Sequence, residues 1–130
     1  AFQEIGGITH THSPYATALA CARKPIPAAV EDLVQIVGGQ VRVAQYALPG
    51  TKELAENAVQ ALAGRKAVLL ANHGLIGVGK DLEEALKICL VTEKAAQVTI
   101  FAQAVGGVVE LSPEDVGTMR QFYLQSYGQK

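Results

Sequence analysis

Residues 6–20 read GGITHTHSPYATALA, and this stretch decides how the chain begins to fold. The alternation over 8–12 is typical of a β-strand, in which residues two apart share a face, so His10 and His12 should point the same way about 7 Å apart. The Ser-Pro pair that follows matches a helix start, with Ser at the N-cap and Pro in the first turn, and predicts a helix over 14–23. We therefore expect a strand that passes directly into a helix, with two imidazoles near the junction.

The rest of the chain mixes strand and helix signals without regular βαβ alternation. The predicted elements are a helix over 28–37, a strand over 40–46, a helix that begins after Thr51, strands over 66–71 and 75–80, a helix over 82–104 capped by Asp81, and a helix over 113–126. The apolar run KAVLLA at 66–71 suits a central strand that is covered on both faces and returns as a hairpin. These elements predict a layered α/β sandwich in which several neighbouring strands are antiparallel.

The longest predicted helix shows apolar residues at three- and four-residue spacing, which is typical of a helix with one face on the core. These residues are Leu82, Ala85, Leu86, Cys89, Ala96 and Ile100. Both cysteines, Cys21 and Cys89, lie among apolar helical residues, outside any metal-binding or disulfide pattern, and we expect them to be buried thiols. We predict a cytoplasmic protein, because the thiols are expected to be reduced and no apolar run in the sequence is long enough to span a bilayer.

A length of 130 residues fits one domain over 1–130. The charge is nearly balanced, with 11 basic and 12 acidic residues and no run of like charges. Electrostatic binding to nucleic acid or to an anionic membrane is therefore not expected, and a small molecule or a protein is the better partner.

The three histidines of the chain are the candidates for chemistry. Taken alone, the spacing of His10 and His12 fits a surface or core pair as well as a metal pair. His73, however, directly follows the predicted central strand, where functional side chains of α/β proteins often emerge. Three histidines with an open fourth position are a common form of catalytic zinc centre, although such sites also accept other divalent ions.

Three stretches carry a resemblance to a known family. GGITHTHSPYATALA, the segment YALPGTKELAENAVQALAGRKAVLLANHGLIGVGKDLEEAL and the final YG resemble the class II aldolase/adducin family over nearly the whole chain. Within that family, the chain is most similar to the branch that cleaves L-fuculose 1-phosphate. The resemblance implies a three-layer α/β/α sandwich around a largely antiparallel sheet, assembled as a homotetramer with active sites between subunits.

The resemblance also implies roles for particular residues. His10, His12 and His73 match the family's zinc ligands. Glu31 stands where the L-fuculose-phosphate branch has a tyrosine from a neighbouring subunit and the dehydratase and epimerase branches have a carboxylate, so Glu31 or Asp32 is the candidate acid/base group. Without the resemblance, these two carboxylates read as a solvated helix face. Tyr127 matches a second family tyrosine that reaches the adjacent active site.

The implied reaction is the reversible cleavage of a ketose 1-phosphate to dihydroxyacetone phosphate and an aldehyde, with zinc as a Lewis acid. Two enzymatic alternatives share the metal ligands: a methylthioribulose-1-phosphate dehydratase and a ribulose-5-phosphate 4-epimerase. A third alternative is a non-catalytic assembly domain like the head of adducin. The family's upstream glutamate and its phosphate-binding loops have no counterpart in the sequence, so we expect the domain to lack the N-terminal part of the family fold.

Overall fold

The computed structural model describes residues 4–126. In this part of the chain the elements follow the order β1 (Gly7–Thr11), α1 (Pro14–Ala22), α2 (Glu31–Val37), β2 (Val43–Ala44), α3 (Lys52–Leu62), β3 (Ala67–Leu70), β4 (Gly74–Gly79), α4 (Leu82–Ala104) and α5 (Pro113–Ser126). The predicted mixture of strands and helices is confirmed, and most element boundaries agree to within a residue or two.

The strands form one sheet in the order β1-β4-β3-β2. β4 pairs antiparallel with both β1 and β3, whereas β2 pairs parallel with β3. The predicted hairpin return between the two apolar strands is therefore correct. The sheet is mixed, and it is largely antiparallel as expected.

Helices cover both faces of the sheet. Successive side chains of the central strand β3 point to opposite sides, and all four are apolar and buried, so each face needs a cover. Ala67 and Leu69 of β3 pack into a cluster with apolar residues of α1, α2 and α4. Val68 and Leu70 pack on the other face with Leu62 and other residues of α3. This arrangement confirms the three-layer α/β/α sandwich.

α4 packs very closely on the sheet, and small residues on both elements make this possible. A Cβ atom added to Gly77 of β4 would lie 2.8 Å from the Cys89 sulfur and 2.9 Å from the Ala85 carbonyl oxygen. The expectation that Leu82 and Leu86 also face the core is wrong, since their side chains are 67% and 49% exposed. The buried face of α4 consists of three alanines, Ile88, Cys89 and two threonines, and Leu82 and Leu86 lie outside it.

Three further expectations need correction. The strand predicted over 40–46 is reduced to the two residues of β2, because Val41 instead forms an isolated bridge with Ile26. The helix predicted from residue 28 begins only at Glu31, after a turn. Cys21 is exposed, whereas Cys89 is buried as expected. Ala20 is the buried residue of α1 at this point, and the next residue lies about 100° further round the helix.

Candidate metal centre

The structure brings the three histidines together at one end of the sheet. The Nε2 atom of His10 lies 3.1 Å from Nε2 of His12 and 3.3 Å from Nε2 of His73. One ligand nitrogen from each ring lies within 4.8 Å of the other two. A tetrahedral zinc ion with Zn–N bonds of about 2.0–2.1 Å separates its nitrogen ligands by roughly 3.4 Å. The three nitrogens therefore form a group that could hold a metal ion.

The register of the sheet explains why residues so distant in sequence meet. In the β1–β4 ladder His10 pairs with Ile76, and Thr11 pairs with Leu75. The turn between β3 and β4, which carries His73, is therefore beside the end of β1.

A backbone hydrogen bond fixes the orientation of the His10 ring. Its Nδ1 lies 2.9 Å from the carbonyl oxygen of Leu75, and this oxygen can only accept, so Nδ1 carries the proton. The other nitrogen, Nε2, is then left with a free lone pair directed at the group. A hydrogen bond of this kind, donated by the non-ligating nitrogen, is typical of histidines that bind metals.

His73 lies in a tight turn whose geometry is set by its neighbours. The backbone N–H of His73 donates to the carbonyl of Leu70 at 2.9 Å. Asn72 has φ 63°, a left-handed conformation that asparagine tolerates better than most residues. The side chain of Arg23 donates twice to the Asn72 Oδ1 atom, at 3.1 and 2.9 Å.

The environment of His73 favours its neutral form. Burial lowers the pKa of His73, and the neighbouring His10 and His12 lower it further, because all three disfavour a positive charge there. The neutral imidazole is the form that binds metal. The Nδ1 atom of His73 is buried and has no hydrogen-bond partner within residues 4–126.

Gly74 leaves room for His12, the residue that follows β1. A Cβ atom at this position would lie 2.9 Å from Cδ2 of His12 and would collide with the carbonyl oxygen of Thr11. The glycine after His73 therefore lets the hairpin and the edge strand approach closely enough for the rings to converge.

The candidate acid/base residues stand apart from this group. The group of possible ligands in the described part of the chain consists of the three imidazoles, and Glu31 is not among them. Glu31 is the exposed first residue of α2, and the adjacent Asp32 forms an ion pair with Lys94 at 3.4 Å. Tyr127 lies outside the described residues.

Sequence reasoning missed one carboxylate that contacts the chain shortly after His12. Glu93 of α4 accepts hydrogen bonds from the backbone N–H groups of Tyr15 and Ala16, three and four residues after His12. No local pattern signals this contact, because the partners are 78 and 77 positions apart in the chain.

The protein is therefore an α/β sandwich with a candidate metal centre, formed by three imidazoles that converge beside a hairpin turn. Residues 1–100 match the family model described as Class II Aldolase and Adducin N-terminal domain. The chain therefore belongs to the class II aldolase and adducin family, as the resemblance implied.

Three similar proteins carry aldolase names. The 5-methylthioribulose-1-phosphate/5-deoxyribulose-1-phosphate aldolase of Rhodospirillum rubrum is 42% identical over 94 residues, which cover 72% of this chain and 42% of that protein. The 5-deoxy-D-ribulose 1-phosphate aldolase of Bacillus thuringiensis serovar kurstaki is 37% identical over 128 residues, covering 98% and 59%. A solved L-fuculose 1-phosphate aldolase has a TM-score of 0.86 at 43% identity and covers 89% of this chain and 54% of its own.

The chain spans about half the length of the relatives it matches, between 42% and 59% of the two curated ones. Within the described residues, no helix is both long enough and apolar enough to cross a membrane.

Proposed function

We propose that the protein is a metal-dependent aldolase that cleaves a ketose 1-phosphate to dihydroxyacetone phosphate and an aldehyde. The observation that carries the proposal is the convergence of the Nε2 atoms of His10, His12 and His73 in a chain of the class II aldolase family. Relatives named as aldolases of three ketose 1-phosphates support the reaction type.

The donor set fits a divalent cation with an affinity for nitrogen, and we propose zinc. The His10 Nδ1 bond to the Leu75 carbonyl and the lowered pKa of His73 both leave neutral nitrogen donors. Three neutral ligands leave the charge of the ion uncompensated, and other divalent ions could also bind. A metal bound here would supply a Lewis acid that stabilises the negative charge developing on the substrate when the carbon–carbon bond breaks.

The reaction also needs groups that move protons. The C3–C4 bond of the ketose breaks as the C4 hydroxyl loses its proton to become the aldehyde, and C3 then takes up a proton. We propose Glu31 as the acid/base group, with Asp32 as its alternative, and Tyr127 as a second proton-handling group. Because Glu31 is exposed and stands outside the histidine group, the proposal places it in the site of a neighbouring subunit of a homotetramer.

The substrate class follows from what the names of the relatives share. Deoxyribulose, methylthioribulose and fuculose phosphates are all ketose 1-phosphates, and cleavage between C3 and C4 gives each the same three-carbon product. We therefore propose specificity for the phosphorylated three-carbon end, with L-fuculose 1-phosphate and the 5-deoxypentulose 1-phosphates as candidate substrates. The free thiols of Cys21 and Cys89 support a reducing, cytoplasmic setting.

The test is a coupled assay for dihydroxyacetone phosphate. The substrates are the 1-phosphates of 5-deoxyribulose, 5-methylthioribulose and L-fuculose, each tested separately. The purified protein loaded with zinc, the chelator-treated protein and the His73→Ala variant should be compared. Release that needs zinc and His73 supports the proposal. A diketone without dihydroxyacetone phosphate would mean the dehydratase reaction, an epimerised sugar would mean the epimerase reaction, and zinc binding without any turnover would favour the adducin-like role.

A further inference from the structure

The first turn of α1 is held by another helix. Pro14 has no N–H to satisfy, and the N–H of Thr17 donates to the Ser13 carbonyl at 2.9 Å in the ordinary helical way. The N–H groups of Tyr15 and Ala16 have no partner within α1, as is usual at a helix start. Both donate instead to the two carboxylate oxygens of Glu93, at 3.0 and 2.7 Å.

The Glu93 contact replaces the local cap that the sequence predicted. Ser13 occupies the N-cap position as expected, but its side chain makes no capping hydrogen bond in the described structure. A cap from Ser13 would only have stabilised α1 itself. A carboxylate from α4 fixes the start of α1 to the helix that packs closely on the sheet, and its charge is favourable at a helix N-terminus.

The other end of α1 is tied to the turn that carries His73. The backbone N–H of Asn72 donates to the Ala20 carbonyl near the end of α1 at 3.1 Å. Arg23, the C-cap residue, makes its two bonds to the Asn72 side chain. Helix α1 therefore begins two residues after His12 and ends in hydrogen bonds to the residue before His73.

We infer that helix α1 sets the separation of His12 and His73. Glu93 and Arg23 are the positioning residues at its two ends. The inference rests on the metal centre proposed above. Neither side chain belongs to the histidine group, so each acts through the backbone that precedes or follows a ligand. Without Glu93 the first turn of α1 would have two unsatisfied N–H groups and freedom to shift, and His12 would shift with it.

The main test compares Glu93→Gln with a matched control, Glu84→Gln. Glu84 lies on the same helix and accepts a hydrogen bond from the Lys80 backbone N–H at 2.9 Å, at the opposite end of the sheet from the histidines. Both substitutions remove one carboxylate charge from α4. The zinc affinity of each purified 130-residue chain is measured by competition with a chromophoric chelator, and unfolding in urea is measured without metal.

Glu93→Gln should weaken zinc binding about tenfold, the lower end of what loss of a supporting contact costs at metal sites. Glu84→Gln should change the affinity less than about twofold, since its contact does not touch a ligand-bearing segment. Arg23→Gln should weaken binding about threefold, because its bonds to Asn72 are exposed. An equal loss in the Glu93 and Glu84 variants, or an unchanged affinity in the Glu93 variant, overturns the inference.

A spectroscopic signature separates positioning from general stability. Each chain is saturated with Co²⁺, and its visible absorption is recorded in the folded state. The Glu93→Gln spectrum should differ from the wild type, whereas the Glu84→Gln spectrum should match it. Matching spectra for all chains would mean that Glu93 stabilises the fold without positioning a metal ligand, and would contradict the inference.

The outcome for the wild type separates this inference from the proposed reaction. Zinc binding without release of dihydroxyacetone phosphate would overturn the proposed aldolase activity and leave the positioning role of α1 intact. Failure of the wild-type chain to bind zinc would overturn both.

Discussion

The three candidate ligands come from two unlike regions of the sheet. His73 lies in the turn between β3 and β4, where every residue of β3 is buried and β4 is buried except for a half-buried Ile76. His10 and His12 come from the edge strand β1 and the residue after it, where His10 is exposed and Ile8 is 61% exposed.

The contrast shows that one metal centre can be positioned in two ways. The hairpin histidine is fixed by the packing of the hydrophobic core around the strands on either side of it. The edge-strand histidines have exposed side chains, and beyond the β1–β4 ladder their places depend on a few polar contacts: the His10 bond to the Leu75 carbonyl and the two Glu93 bonds to the start of α1. We therefore expect substitutions around the hairpin to change mainly the free energy of unfolding. Substitutions near the edge strand should change mainly the metal affinity.

The largest expected effect is loss of the hairpin ligand. His73→Ala should weaken zinc binding by more than about a hundredfold, because even the loss of a supporting contact costs 10–100-fold at metal sites. The measurement is chelator competition, with unfolding of the metal-free chain as the control for folding. A variant that keeps the affinity of the wild type would remove the hairpin from the metal centre altogether.

The second prediction compares the cores of the two regions directly. Leu69 on β3 is fully buried, so Leu69→Ala should lower the free energy of unfolding by about 2–5 kcal/mol. Ile8→Ala on the edge strand should lower it by less than about 0.5 kcal/mol, since this side chain is mostly exposed. Urea unfolding of the two metal-free variants checks the difference, and similar losses would mean that the edge strand is as well packed as the hairpin.

The third prediction concerns the close approach of α4 to the hairpin. Gly77→Ala should cost about 1–3 kcal/mol, because the new Cβ would meet the Ala85 carbonyl and the Cys89 sulfur. Gly117→Ala in α5 is the control, since nothing lies within 4 Å of a Cβ there and alanine favours helix. This control should stabilise the protein by about 0.5–1 kcal/mol. Thermal unfolding of both variants should shift in opposite directions, and a shift in the same direction would contradict the packing argument.

The smallest expected effect is the titration of His73. Its lowered pKa predicts an NMR midpoint below the ordinary value of 6.5 in the metal-free protein. The unfolded chain then binds more protons than the folded one between pH 6.5 and that midpoint, so the contribution of His73 to stability is complete above pH 6.5 and falls as the pH drops. A midpoint at or above 6.5 would show that the hairpin turn does not disfavour the charged ring.

Local chemistry made several helix starts predictable. The side chains of Thr51, Asp81 and Ser112 each accept a hydrogen bond from the N–H three residues on, at 3.2, 2.8 and 3.1 Å. Such caps depend on only four consecutive residues, so the sequence displays them directly. The buried strand β3 was also predictable, because a short apolar run bounded by polar residues is typical of a central strand that is covered on both faces.

Features that depend on distant residues were not predictable in this way. The burial of α4 follows from the glycines of β4, so a periodicity count within the helix misplaced Leu82 and Leu86. Val41 forms a bridge with Ile26 that shortens β2, and Glu93 caps a helix far away in sequence. Even for the histidines, spacing alone left His10 and His12 ambiguous, and only the β1–β4 register shows why His73 joins them.

The order of the strands leads us to expect that the histidine group forms late in folding. β3 and β4 are joined by a tight turn, so their pairing closes only a short loop and can form early. β1 must reach β4 across a long stretch of chain, with His10 and Leu75 separated by 65 positions, and closing such a loop costs more chain entropy. We therefore expect His73 to be in place before His10 and His12 arrive, so that the ability to capture a metal ion reports completion of the fold.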